Sequence, residues 1–182
     1  VPINWRLSDD EIRYILSDSS PKMLAVDGNQ EHRVREIRVS ASVIGFGECK
    51  NYPLLKSLMA SADTTFSKPD ITADDPFCMI HTAAVAGKPR GAVLSHGNMV
   101  FADLQTAATM GLTRTDVCLN NLPLFHITGM NLAFSVMHVG GKNVVIEKFD
   151  EKECLELTQT EKVSIMGSFP PILSRLTAEA GN

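Results

Sequence analysis

Between two apolar runs of this chain, Phe77-Cys-Met-Ile-His81 and Ala92-Val-Leu-Ser95, lies the loop Thr82-Ala-Ala-Val-Ala-Gly-Lys-Pro-Arg-Gly91. Both runs read as buried strands, so the loop gathers backbone N–H groups and two cations, Lys88 and Arg90, around one small volume. That chemistry suits an anionic ligand. Without its surroundings, the same composition describes a surface hairpin with a basic tip. A nucleotide-hydrolase P-loop is excluded. It needs a first glycine about five residues before its Gly-Lys pair and a Ser or Thr after it to hold magnesium. Here those places hold Thr82 and Pro89.

His126 is the other side chain that could do chemistry, ending the run Leu122-Pro-Leu-Phe at the start of an apolar segment. It reads from the residues alone as a helix cap or a satisfied core histidine. Ser95-His96 does not make a nucleophile and base, because adjacent side chains on a strand point to opposite faces. The histidines show no metal-ligand spacing. Cys49, Cys78, Cys118 and Cys154 are far apart with no CxxC pair, which points to free thiols in a reducing compartment and a cytoplasmic location.

The elements that must position these residues alternate apolar runs with amphipathic segments, as an α/β architecture does. Strands are expected at Met23 to Val26, Val43 to Phe46, Phe77 to His81, Ala92 to Ser95, Val117 to Leu119, Asn143 to Ile146 and Val163 to Met166. Ser8 with Glu11 predicts a capping box, and Asp150 with Glu153 a second one opening a helix through Glu161. Pro53 and Pro171 mark helix starts, and Gly111 and Gly181 helix ends. The helix from Asn98 to Met110 is expected to cover a sheet with Val100, Leu104 and Ala107 or Ala108. Ile127 to Val139 is apolar almost all round and reads as a buried helix, too short for a membrane span of about 20 residues. The polar stretch 64–72, with Lys68-Pro69, reads as a linker. It separates a leading βα segment (1–63) from a segment (73–182) that carries the Lys88 loop and His126.

A hydrophobic content of 44% against 21% charged residues fits a packed core and argues against disorder. A net charge of −4 gives no reason for a nucleic-acid partner. Arg33, Arg35 and Arg38 are interrupted by Glu31 and Glu36 and read as a solvated face.

The loop resembles the phosphate-binding signature of the adenylate-forming enzymes, which include acyl-CoA synthetases, nonribosomal peptide adenylation domains and luciferases. Thr82, Gly87, Lys88, Pro89 and Gly91 match the pattern TSGTTGKPKG, and Arg90 keeps the charge of its second lysine. Asp74-Asp75-Pro76, Val93-Leu-Ser-His96, Asn98, Leu122-Pro-Leu-Phe-His126 and Gly140-Gly141 also look like family counterparts in order and spacing. The opening Val1-Pro-Ile-Asn-Trp-Arg-Leu7, with Glu11 and Tyr14-Ile-Leu16, is similar to the fatty-acyl and aryl-CoA synthetase branch.

The resemblance implies a partial N-terminal adenylation domain, with mixed, largely parallel sheets flanked by helices. It implies an ATP-dependent acid–thiol ligase in which a carboxylic acid, fatty or aryl, becomes an acyl-adenylate and passes to coenzyme A. ATP and Mg2+ are implied with it. Thr82, Ala83, Ala84, Val85, Ala86, Gly87, Lys88 and Arg90 would then surround the phosphates, and His126, Gly129 and Met130 would line the acyl pocket. The family's Tyr-Gly-x-Thr-Glu stretch, ribose-binding aspartate, hinge and lid lysine have no counterpart in these 182 residues. The sequence therefore reads as a piece of a longer enzyme, inactive by itself and prone to self-association through sheet edges or apolar faces left uncovered.

The chain departs from the pattern at Ala83-Ala84-Val85-Ala86, where the family has Ser-Gly-Thr-Thr. Each lost hydroxyl removes a hydrogen bond to a charged group worth about 1.5–3 kcal/mol. Ala84 also carries a Cβ where glycine would let the backbone approach a ligand. The alternative this raises is a non-catalytic relative that keeps the fold as a binding module with a degenerate phosphate loop.

Overall fold

The computed structural model describes residues 1–82 and 88–181, and its contacts fall into two compact units. The first comprises Ile3–Ile71 with His81–Ala92, and the second Thr72–Ile80 with Val93–Asn182.

In the first unit, Ser8 opens α1 (Asp9–Ser19) with the expected reciprocal cap: its hydroxyl accepts from the Glu11 N–H, and Glu11 accepts from the Ser8 N–H. Strands β1 (Met23–Asp27) and β2 (Ser42–Phe46) pair in parallel, Met23 opposite Ser42 and Asp27 opposite Phe46. A parallel pair needs a crossover, and α2 (Glu31–Ile37) supplies it after a 3-10 turn at Gly28–Gln30. Ile12, Leu16 and Ile37 pack with Leu7 and Leu24, while Val26, Val34 and Cys49 pack with Tyr52 and Leu54. Helix α3 (Leu55–Ser61) follows Pro53 with Leu54 as its cap residue.

Two side chains on α2 do work that their charge conceals. Arg33 departs from the expected solvated face: its side chain is only 17% exposed and donates to Asp9 Oδ1 and to the carbonyls of Trp5 and Leu7. Arg35 and Arg38 are exposed as expected. Glu31 is buried at the start of α2 and accepts from the N–H groups of Lys50 and Asn51. Burial alone would raise its pKa, but these bonds win and hold it at about 2.

Strands β3 (Pro76–His81) and β4 (Gly91–Ser95) pair as a two-stranded sheet. In the second unit α4 (His96–Met110) begins at a reciprocal cap between Ser95 and Asn98 and ends at Gly111, whose φ of 65° is left-handed. Three parallel strands follow in the order β6-β5-β7: β5 (Val117–Asn120) in the centre, β6 (Lys142–Val145) and β7 (Ile165–Met166) beside it. Helices α5 (Ile127–His138), α6 (Glu151–Thr160) and α7 (Pro170–Ala180) complete the unit. Alternation along β5 fills both of its faces, since Cys118 packs with Leu132 and Val136 of α5, and Leu119 with Cys154 of α6 and Leu176 of α7.

Several expectations need correction. Helix α4 buries Met99, Asp103 and Ala107, one turn-spaced stripe, and leaves Val100 and Leu104 exposed. The stripe packs on α5, where Asn131 donates to Asp103 Oδ1 at 2.7 Å and His138 Nδ1 stands 3.3 Å from Oδ2. Burial raises the Asp103 pKa, opposed by Asn131 and then His138. Helix α5 buries one side only, with Ile127 and Met137 exposed. Asp150 caps α6 by accepting from the Glu153 N–H, but no reciprocal bond forms. Val163 is not part of β7: its N–H closes the end of α6 on the Thr158 carbonyl, with Lys162 left-handed before it.

Candidate phosphate-binding site

The loop's neck is built by β3 and β4. The Thr82 N–H donates to the Arg90 carbonyl at 3.0 Å, and the Arg90 N–H meets the Thr82 hydroxyl at 3.4 Å. The two ends of the loop are thereby held one backbone pair apart. Lys88 and Arg90 are exposed and Pro89 is buried. The expected phosphate contacts Ala83, Ala84, Val85, Ala86 and Gly87 lie outside the described residues. Thr82 and Arg90 thus face each other across the neck, and Lys88 stands two residues before Arg90.

Two contacts to α1 were missed by that reading. The Lys88 ammonium stands 5.4 Å from the centre of the Tyr14 ring. The His81 ring, 5% exposed, lies with Nε2 at 2.9 Å from Asp18 Oδ2. The carboxylate can only accept, so Nε2 carries a proton. Tyr14 and Asp18 are four residues apart on one helix face.

In the second unit, His126 is exposed at the cap position of α5, and its side chain makes no capping bond. Its ring tilts against Phe125 at a centroid distance of 4.7 Å. Gly129 and Met130 are buried one turn on, and the Met130 N–H donates to the His126 carbonyl at 3.2 Å. Gly129 lies against the carbonyls of Leu122 and Pro123, so the space a side chain would take is filled by backbone.

The remaining nucleophiles are quiet. Ser95 is spent on the α4 cap, and His96 packs edge-on against Phe77 at 5.0 Å. All four cysteines are free, and burial pushes the Cys118 thiol up to about 11, which leaves it protonated and inert. Among the described residues no group of three or more His, Cys, Asp or Glu converges to hold a metal ion. No helix among the described residues is long and apolar enough to cross a membrane.

The family model for AMP-binding enzymes matches residues 1–182. The chain belongs to the AMP-binding enzyme family. Among this family's curated members, the chain is 27% identical to an indoleacetate–CoA ligase of Aromatoleum aromaticum over 98% of its own length and 36% of that protein's. A crystal structure from Rhodopseudomonas palustris, assigned provisionally as a long-chain-fatty-acid CoA ligase, is 34% identical with a TM-score of 0.89, over 97% of this chain and 45% of that one. ATP-bound MatB from the same organism is 26% identical with a TM-score of 0.83, over 97% of this chain and 35% of that one. The chain thus spans between a third and a half of the AMP-binding proteins it resembles. The mixed α/β fold with parallel sheets is the fold of these neighbours.

Proposed function

We propose that this chain is part of the adenylation domain of an ATP-dependent ligase that joins a carboxylic acid, fatty or aryl, to coenzyme A. The observation carrying the reading is the closed neck Thr82–Arg90 with Lys88 and Arg90 exposed beside it, in a chain that matches the family from end to end. A carboxylate attacking the α-phosphate of ATP must expel pyrophosphate, and cations held at the β- and γ-phosphates stabilise that leaving charge. Lys88 and Arg90 take this role, with Thr82 and the backbone of 83–87 as further donors. The two cations are not equivalent: the guanidinium presents a planar fork and the ammonium a mobile point charge. His126, Gly129 and Met130 are assigned to the acyl side of the reaction. Free thiols fit a cytoplasmic setting.

The test is ATP–pyrophosphate exchange by the full-length protein with acids from acetate to long-chain and aryl. Exchange that depends on one class of acid supports the reading and names the substrate, and silence across the panel beside an active relative overturns it. The 182 residues alone are expected to form no acyl-CoA. They are also expected to self-associate through exposed apolar side chains such as Phe66 and Phe101, which concentration-dependent light scattering would report.

A second reading is favoured by Ala83-Ala84-Val85-Ala86, which removes side-chain donors from the loop. It makes the protein a non-catalytic binding module, for which the exchange assay stays silent while the fold persists.

A further inference from the structure

We infer that α1 is a positioning element for the phosphate loop, with Tyr14 holding the Lys88 ammonium in place and Asp18 fixing His81 at the loop's other flank. The inference rests on the proposed phosphate role of Lys88.

Tyr14 and Asp18 lie on one face of α1, a full turn apart. Each meets one side of the loop. Asp18 reaches the residue before Thr82, and Tyr14 the lysine that follows 83–87. Helix α1 is itself well anchored, with a reciprocal cap at Ser8 and with Ile12, Ile15 and Leu16 buried. A rigid helix thus contacts both flanks of a loop whose ends are already joined through Thr82 and Arg90.

The choice of partner for Lys88 carries the argument. A carboxylate beside the ammonium would orient it but cancel the charge a phosphate needs. A tyrosine ring orients the ammonium through the negative face of its π-system and is itself uncharged. Lys88 is therefore restrained at one end of its path with its full positive charge available to a ligand. His81 holds the other flank: its ring is buried, and among the described residues its other nitrogen, Nδ1, has no partner. The bond to Asp18 is then the one side-chain hydrogen bond that sets the ring's orientation.

The test uses the full-length protein with steady-state kinetics in ATP and in acid. Tyr14→Leu should raise the KM for ATP about two- to fivefold, the range expected for an exposed cation–π contact, and leave the KM for acid unchanged. Tyr14→Phe should restore the wild-type value, because the ring face and not the hydroxyl meets Lys88. In a Lys88→Ala background Tyr14→Leu should have no further effect. Asp18→Ala should shift the KM for ATP in the same direction. Equal effects of Tyr14→Leu with and without Lys88, or parallel rises in both KM values, overturn the inference. A separate readout is the ring-current shift of the Lys88 side-chain resonances, present in wild type and Tyr14→Phe and lost in Tyr14→Leu. Its absence in wild type overturns the inference. Its presence in a protein that turns over no acid would leave the contact standing and overturn the proposed function instead.

Discussion

Gly129 lies directly beneath Pro123, so close that a Cβ at position 129 would stand 2.6 Å from the Pro123 carbonyl oxygen and 3.0 Å from that of Leu122. Both obstacles are backbone and cannot swing away. The turn that ends at His126 is seated on α5 through this contact. Gly129→Ala is therefore expected to destabilise the second unit by about 1–3 kcal/mol, as other overpacked sites are. Denaturant unfolding would show it as a lowered midpoint, and an unchanged midpoint would mean that the turn is free to lift.

Glu31 makes the first unit sensitive to acid. Its unperturbed value is 4.5 and its folded value about 2, so the folded state favours the ionised form. The stabilisation is fully present above pH 4.5 and is lost as pH falls through about 2. Glu31→Gln imitates the protonated carboxyl. Thermal unfolding of wild type and Glu31→Gln should differ at neutral pH, and the difference should close between pH 4.5 and 2. A gap that stays constant across that window would show that the bonds to Lys50 and Asn51 are not what depresses the pKa.

The loop offers a test by restoration. Replacing Ala83-Ala84-Val85-Ala86 with Ser-Gly-Thr-Thr adds hydroxyl donors, each worth about 1.5–3 kcal/mol to a charged acceptor. The full-length protein carrying these four changes should bind ATP at least tenfold more tightly, measured by calorimetry. No gain would mean that the loop substitutions do not limit nucleotide binding.

The strands were legible because each is a short apolar run bounded by turn residues, and every one of them appears within a residue or two of its expected place. What the sequence hid was partnership between distant residues. Asp103 breaks the apolar stripe of α4, so the buried face was read one position over, onto Val100 and Leu104; only Asn131 and His138, on another helix, explain a carboxylate there. Arg33 looked like one of three solvated arginines until the carbonyls of Trp5 and Leu7 came within its reach. The loop's place between β3 and β4 was legible, whereas the contacts of its flanks with Tyr14 and Asp18 span more than sixty residues and leave no local pattern.

The central claim is that Lys88 neutralises phosphate charge as pyrophosphate leaves. The most direct measurement is acid-dependent pyrophosphate release by the full-length protein and by its Lys88→Ala variant, with folding of both verified by circular dichroism. The account predicts release by the wild type with one class of carboxylic acid and a loss of at least tenfold in kcat/KM for ATP in the variant, as expected when a charged hydrogen bond to the reacting phosphates is removed. Equal release by the two proteins would contradict it.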